Sequence, residues 1–176
     1  MNHDPTGSEQ QFERFYREHF TEVRRFARTL VCADDVDDIV SATFTTAWQK
    51  FEQIPTESAR AWLFGTTRNM ARNRWAMGRR AAALADVIEL ARPHLTAQLA
   101  DGGFDPVEVA SLLDVLRSLT DNDRELMIMA GWFEMTPNEI AAVTGERAGS
   151  VRVRLHRLRK HLDRDFRQRI DGGEVA

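Results

Sequence analysis

Two arginine blocks carry most of the chemistry this sequence offers. Arg60 to Arg80 holds six arginines and no acid, a local charge of +6. Arg147 to Arg169 holds eight arginines and Lys160 against Asp163 and Asp165, a local charge of +7. The 176-residue chain nevertheless carries a net charge of −3, so its remainder is strongly acidic. Basic charge gathered into two compact blocks on an acidic body is the footprint of two polyanion contacts. The competing reading is a pair of solvated arginine-rich faces. A third cluster, Asp34-Asp35-Val36-Asp37-Asp38, satisfies the aspartate-rich pattern that holds magnesium in isoprenoid-processing enzymes. Such a site needs a second acidic motif on a facing helix and a large apolar cavity, and about 75 residues per domain leave no interior to hollow out. The acids are therefore expected to cap a helix and complement its positive N-terminal dipole. Cys32 stands alone and the five histidines show no ligand spacing, so neither a metal site nor a cofactor is expected.

The elements that position these blocks are helical. Strand-like alternation is scarce, whereas Phe12, Phe15, Tyr16, Phe20, Val23, Phe26, Ala27 and Leu30 recur at helical steps. They predict one long amphipathic helix from about Ser8 to Val31. A second is expected from about Asp35 to Phe51 and a third from Ala59 to about Arg80. Between Ala81 and Pro106 the periodicity fades into a stretch holding Pro93, Gly102, Gly103 and Pro106, read as an acidic flexible linker. Val109, Leu112, Leu113, Leu116 and Leu119 then give a helix, and Thr120 caps the next, which runs to about Trp132. Thr136-Pro137-Asn138-Glu139 is a capping box with proline in the first turn, and Gly145 stands where a left-handed C-terminal residue is needed. The expected fold is all-α, with two small helical domains, 8–80 and 107–169, joined by the linker 81–106. An apolar fraction of 43% and a charged fraction of 29% suit a soluble globular protein. No run of 18 apolar residues offers a membrane span, and the polar N-terminus lacks a secretory signal. A cytoplasmic location without membrane insertion is expected.

A short capped helix, a glycine-containing turn and an arginine-rich helix held by one apolar edge make a helix-turn-helix. Val151, Leu155, Leu158 and Leu162 form that edge. Opposite them lie Gly149, Arg152, Val153, His156, Arg157 and Lys160. Arg152 suits the two acceptors of guanine, and Val153 suits a thymine methyl. Arg147, Arg154 and Arg157 stand where phosphate contacts would fix register, with Ser150 aided by the helix dipole. Leu119 to Leu162, above all Gly149-Ser150-Val151-Arg152-Val153-Arg154-Leu155-His156-Arg157-Leu158-Arg159-Lys160, resembles the −35-binding domain of bacterial sigma factors of the sigma-70 family. The lean extracytoplasmic-function type is the most similar group.

The resemblance extends to the N-terminal half. Asp35-Val36-Asp37-Asp38-Ile39-Val40, with Thr43-Phe44 and Ala47-Trp48, is similar to the helix with which the family grips the RNA polymerase clamp. On a helical wheel Val40, Phe44, Ala47 and Phe51 face inward, while Asp38, Ser41, Ala42, Thr45 and Gln49 form an outward face. The resemblance makes that face, with Trp48, a polymerase-binding surface. The family usually has a glutamine and a glutamate where this chain has Ser41 and Ala42. The third segment, Arg60-Ala61-Trp62-Leu63 through Arg68-Asn69-Met70-Ala71 to Arg79-Arg80, resembles the family's −10 reader. Its wheel is read with Leu63, Met70 and Ala71 on one side and Arg68, Asn69, Arg72 and Asn73 on the other, mixing charge for phosphates with amides for base edges. In the family, the loop matching Glu52 to Ser58, with Gln53 and Ile54, captures a base flipped from the opening duplex, and the asparagine matching Asn69 lines that pocket. Trp62 suits either a wedge or the core. Asn73 stands where the family often has an acid.

The resemblance implies a transcription initiation factor, not an enzyme, that binds core RNA polymerase and promoter DNA and reads −35 and −10 elements. It also implies restraint by an anti-sigma factor that masks the polymerase-facing surfaces. Two other functions fit parts of the pattern. One is a stand-alone helix-turn-helix regulator whose N-terminal half senses or dimerises. The other is a small magnesium enzyme built on the aspartates.

Overall fold

A computed structural model of the chain describes residues 7–75 and 118–173. The chain divides into two compact units, Met1–Asp86 and Val87–Ala176. The expected linker 81–106, the helix around Val109 to Leu116 and the end of the third helix to Arg80 lie outside the described residues. Among those described there are six α-helices and no strand. None is long and apolar enough to cross a membrane.

The first unit holds α1 (Gly7–Arg28), α2 (Ala33–Gln49) and α3 (Ala59–Trp75), with short 3₁₀ turns at Phe51–Gln53 and Thr56–Ser58 between the last two. Each helix touches the other two. The periodic apolar stripes supply one shared core, in which Val23, Phe26, Leu63 and Phe64 are almost fully shielded. Phe26 and Phe64 stack at 4.2 Å with their planes 8° apart, locking α1 to α3. Two buried hydroxyls meet between α2 and α3, their oxygens 3.3 Å apart: Thr43 donates to the Ile39 carbonyl at 2.8 Å and Thr67 to the Leu63 carbonyl at 2.8 Å. Both hydroxyls are thereby satisfied in a dry interior, where an unpaired one costs roughly 1–3 kcal/mol.

Two local details depart from the sequence expectation. α1 stops at Arg28 rather than Val31, because the Thr29 hydroxyl donates to the Phe26 carbonyl and the chain turns Leu30 and Val31 into the core. The aspartate cluster does not cap α2. Cys32 occupies the N-cap without a side-chain cap bond, and Asp35 is 1% exposed. The cause is a longer-range partner: Arg74 of α3 donates to Asp35 Oδ1 through Nε at 3.0 Å and Nη2 at 2.7 Å.

The second unit holds α4 (Asp121–Gly131), α5 (Pro137–Thr144) and α6 (Ala148–Gly173). Thr120 caps α4 by accepting from the Asp123 amide at 3.2 Å. The box at α5 forms in both directions: Thr136 Oγ1 accepts from the Glu139 amide, and Glu139 Oε2 accepts from the Thr136 amide. Gly145 closes α5 at φ +75°, the left-handed conformation glycine adopts at little cost. Leu126, Met129, Ile140 and Val151 form the core, with Leu155, Leu158 and Leu162 extending it along α6.

Candidate nucleic-acid interface

Each unit presents one helix whose outer face bears polar and cationic groups. In the second unit that helix is α6. Its apolar edge, Val151, Leu155, Leu158 and Leu162, is buried against α4 and α5 as the wheel predicts. Arg147, Gly149, Ser150, Arg152, Val153, His156 and Arg157 are all exposed, as are Arg159 and Lys160. Val153 is the anomaly among them, a β-branched apolar side chain left 51% exposed between two arginines. Gly149 has open space where a Cβ would stand. The face is convex and cationic and starts at a helix N-terminus, which suits approach to a phosphate-lined groove.

Arg154 departs from this pattern. Its Nε donates to Asp123 Oδ1 at 2.7 Å, and its Nη1 reaches Glu146 Oε1 at 3.4 Å. Its guanidinium is thus turned toward the body of the unit and away from the position expected for a phosphate contact. Burial opposes ionisation of Asp123, but the Thr120 hydroxyl and then Arg154 outweigh it and hold the carboxyl below its usual range. Further along α6 the charge is partly cancelled within the helix: Arg167 pairs with Asp163, and Arg164 and His161 lie beside Asp165.

In the first unit the candidate face is the outer side of α3. Asn69, Arg72 and Asn73 are exposed, Trp62 is half-buried, and Gln53 is exposed in the preceding turn. At 100° per residue, Trp62, Asn69 and Asn73 fall within about 40° of one another, so an indole and two amides share one strip. Two predicted members are elsewhere. Arg68 is 6% exposed, because it stands four residues after Phe64 and three before Ala71 and so shares their packed side. Ile54 is 9% exposed, the one aliphatic side chain in a polar turn, and it anchors that turn on the core.

Among the described residues, Arg60 and Arg74 of the same block point inward. Arg60 pairs with Glu22 of α1 at 2.6 Å and lies 5.3 Å from the Phe64 ring centre. Arg74 joins Asp35 and reaches Asp38 at 3.0 Å, and the hydrogen bond and charge of Asp35 raise its pKa still further. Oδ2 of the same aspartate accepts from the Cys32 thiol at 3.3 Å. Burial, then the Asp35 hydrogen bond, push that thiol above its ordinary range, so it serves as a neutral donor.

On α2, Asp38, Ser41, Thr45 and Gln49 are exposed, Ala42 is half-buried, and Trp48 is 45% exposed. Of these, Ser41, Thr45 and Trp48 border an open groove of about 690 Å³ between α1 and α2, floored by Phe12, Tyr16, Phe20 and Phe44. Trp48 meets Phe12 edge-on at 4.9 Å. The helical periodicity of α1 predicts its apolar face and not the groove that the N-terminal half of that face leaves open beside α2. The available signal was an aromatic stripe two turns longer than a three-helix core requires.

Comparison with known proteins assigns both units. The family model described as Sigma-70 region 2 matches residues 15–81, and that described as Sigma-70, region 4 matches residues 110–162. RNA polymerase sigma factor CnrH of Cupriavidus metallidurans is 27% identical over 166 residues, covering 89% of this chain and 87% of its own. RNA polymerase sigma-E factor of Streptomyces coelicolor is 29% identical over 155 residues, covering 86% and 84%. The solved structure of CnrH in complex with the cytosolic domain of CnrY aligns with a TM-score of 0.60 at 29% identity, over 90% of this chain and 88% of that one. A Bartonella quintana sigma factor, RpoE, solved with the anti-sigma factor NepR, shares the fold at 22% identity and a TM-score of 0.57, over 90% and 98%. With region 2 matching α1–α3 from residue 15 onward and region 4 matching α4–α6 as far as residue 162, the chain belongs to the sigma-70 family of RNA polymerase sigma factors, in its two-region extracytoplasmic-function form.

Proposed function

We propose that this sigma factor engages core RNA polymerase through the outer face of α2 and reads a two-part promoter with α6 and α3. The observation that carries the proposal is the contrast between the outer faces of those two helices. On α6, Arg152, Arg157 and Lys160 share with Val153, and with Arg147 in the turn just before the helix, an exposed face suited to duplex DNA. Phosphate contacts there set register, while Arg152 and Val153 reach base edges of the −35 element. On α3, Trp62, Asn69 and Asn73 with Gln53 form a strip of stacking and amide groups. That chemistry suits bases already leaving the stack, so the strip reads the −10 element as it opens. Arg72 supplies the backbone contact beside it.

Asp38, Ser41, Thr45, Trp48 and Gln49 are the polymerase-facing residues in this reading. Ala42 lies at the edge of that face. The functional division follows as 8–80 for polymerase and −10 recognition, 107–169 for −35 recognition, and 81–106 as the tether. The factor works in the cytoplasm and performs no bond chemistry itself; phosphodiester synthesis belongs to the polymerase. An anti-sigma partner is proposed as well, supported by the capture of CnrH with CnrY and by the open aromatic groove beside α2.

Transcription in vitro from a matched promoter, with core polymerase in the presence and absence of the protein, tests this directly. Start-site selection that depends on both components is the expected result. A protein that footprints the duplex alone and fails to co-elute with core polymerase would be a stand-alone regulator instead.

A further inference from the structure

α6 is held to its unit by a single row of apolar side chains, Val151, Leu155, Leu158 and Leu162. Such a row fixes how close the helix lies, but resists rolling about the helix axis only weakly. A roll of about 10° moves a side-chain tip at a radius of ~6 Å by about 1 Å. A displacement of that size spoils a bidentate contact to a base edge. A helix that reads bases therefore needs a constraint placed to one side of its apolar row.

Arg154 stands about 70° around the helix from the row at 100° per residue. Its guanidinium reaches two acids on two other parts of the unit. Asp123 lies in the first turn of α4, where its carboxylate also accepts from the Thr120 hydroxyl at 2.7 Å. Glu146 lies in the turn between α5 and α6, directly after the left-handed Gly145. The three side chains are 33%, 21% and 36% exposed, so the bridge is partly shielded from screening. One cation thus ties the second turn of α6 to the start of α4 and to the turn from which α6 emerges.

We infer that Arg154 is a positioning residue, whose bridge to Asp123 and Glu146 sets the roll of α6 and so aims Arg152 and Val153, and that it is not a phosphate ligand. The inference rests on the reading of α6 as the −35 helix. Its neighbours Arg152 and Arg157 carry the outward charge. The spacing that places Arg154 among a run of arginines disguises a residue whose guanidinium turns back to the body of its unit.

The test is promoter binding by holoenzyme reconstituted from core polymerase and each variant, over roughly 50–200 mM salt. One template carries the −35 element and one carries it scrambled. Measurements are made where circular dichroism shows every variant folded. A phosphate ligand contributes about one unit to the slope of log K against log salt. Arg154→Ala is expected to weaken binding to the intact template several-fold, leave the slope unchanged, and barely alter binding to the scrambled one. Asp123→Asn keeps a group able to meet Thr120 but removes an acid beside a polyanion. Charge alone would make that variant bind more tightly; loss of the bridge makes it bind more weakly, which is the expected result. Added to Arg154→Ala, it should have little further effect. A slope reduced by about one in Arg154→Ala, or tighter binding by Asp123→Asn, overturns the inference and leaves the −35 reading intact. A wild-type holoenzyme indifferent to the −35 element overturns both.

Discussion

α3 and α6 look alike as strings of arginine and differ as surfaces. Of the four described arginines in the first block, Arg60, Arg68 and Arg74 are paired inward or packed, and only Arg72 is exposed. In the second block Arg147, Arg152, Arg157 and Arg159 are exposed, and among the described residues Arg154 is turned inward. Local charge therefore measures two different things. In α6 it is an exposed cationic face, which the proposed function makes a grip on polyanion. In α3 it is largely cement between helices, and the outward chemistry passes to Trp62, Asn69 and Asn73. Duplex DNA is held through its phosphates, whereas an opened strand offers bases to stack and hydrogen-bond. The two helices match those two targets.

The largest expected effect tests whether the two units stand apart energetically. Phe26 is fully buried and stacked on Phe64, so Phe26→Ala removes a ring from a core with no means of refilling it. A loss of ~3–5 kcal/mol is expected, confined to the first unit. Calorimetry should show one transition moving down and the other unchanged. Movement of both together would mean that the units fold as one, and the contrast between their helices would lose its basis.

Next in size is Arg152→Ala on α6. It is expected to weaken −35 recognition by roughly 1–3 kcal/mol, and unequally among substituted −35 sequences. The same variant should lower the salt slope only if Arg152 also meets a phosphate. An equal loss on every sequence would move Arg152 from reading bases to gripping backbone.

Local signals were legible in the sequence, and long-range charge pairing was not. The Thr136–Glu139 box and Gly145 lie within ten residues of one another and appear in the structure as read. The inward edge of α6 follows from spacing alone. Arg74–Asp35, Arg60–Glu22 and Arg154–Asp123 join residues 39, 38 and 31 positions apart, and no periodicity announces such partners. Each diverts a residue from the role its neighbours suggest. Asp35 illustrates the cost: read as a cap, it is a buried anion held by a helix that arrives later in the chain. Arg68 is a different kind of miss. Its spacing from Phe64 and Ala71 was available, but charge was allowed to outweigh position. Ile54 repeats the error in reverse, since an isoleucine alone in a polar turn signals an anchor.

Asn69→Ala sharpens the comparison from the other helix. Asn69 is exposed on the strip shared with Trp62 and Asn73, and its amide has no charge to offer a phosphate. Losing one hydrogen bond to an extruded base is expected to cost about 1 kcal/mol in the opening step. Closed-complex affinity and its salt slope should stay near wild type. Permanganate reactivity of the −10 thymines reports opening separately. Unchanged reactivity would return Asn69 to the status of a solvated surface residue.

The smallest effect concerns acidity and falls on the second unit. Asp123 ionises more readily in the folded unit than in the unfolded chain, since the bonds from Thr120 and Arg154 outweigh its partial burial. The unfolded chain therefore binds the proton more tightly, and stability from this group is complete only above the ordinary aspartate pKa of about 3.9. It is lost as the pH falls through the lower folded value, where protonation removes the charge that Arg154 holds. The melting midpoint of the α4–α6 unit should accordingly decline across that acidic interval, and Arg154→Ala should flatten the decline while lowering the plateau at neutral pH. Arg152→Ala, on the exposed face of the same helix, supplies the control: its melting profile should keep the wild-type shape. Parallel profiles for Arg154→Ala and wild type would show that the ion pair stores no stability, leaving its contribution in the direction in which it points the helix.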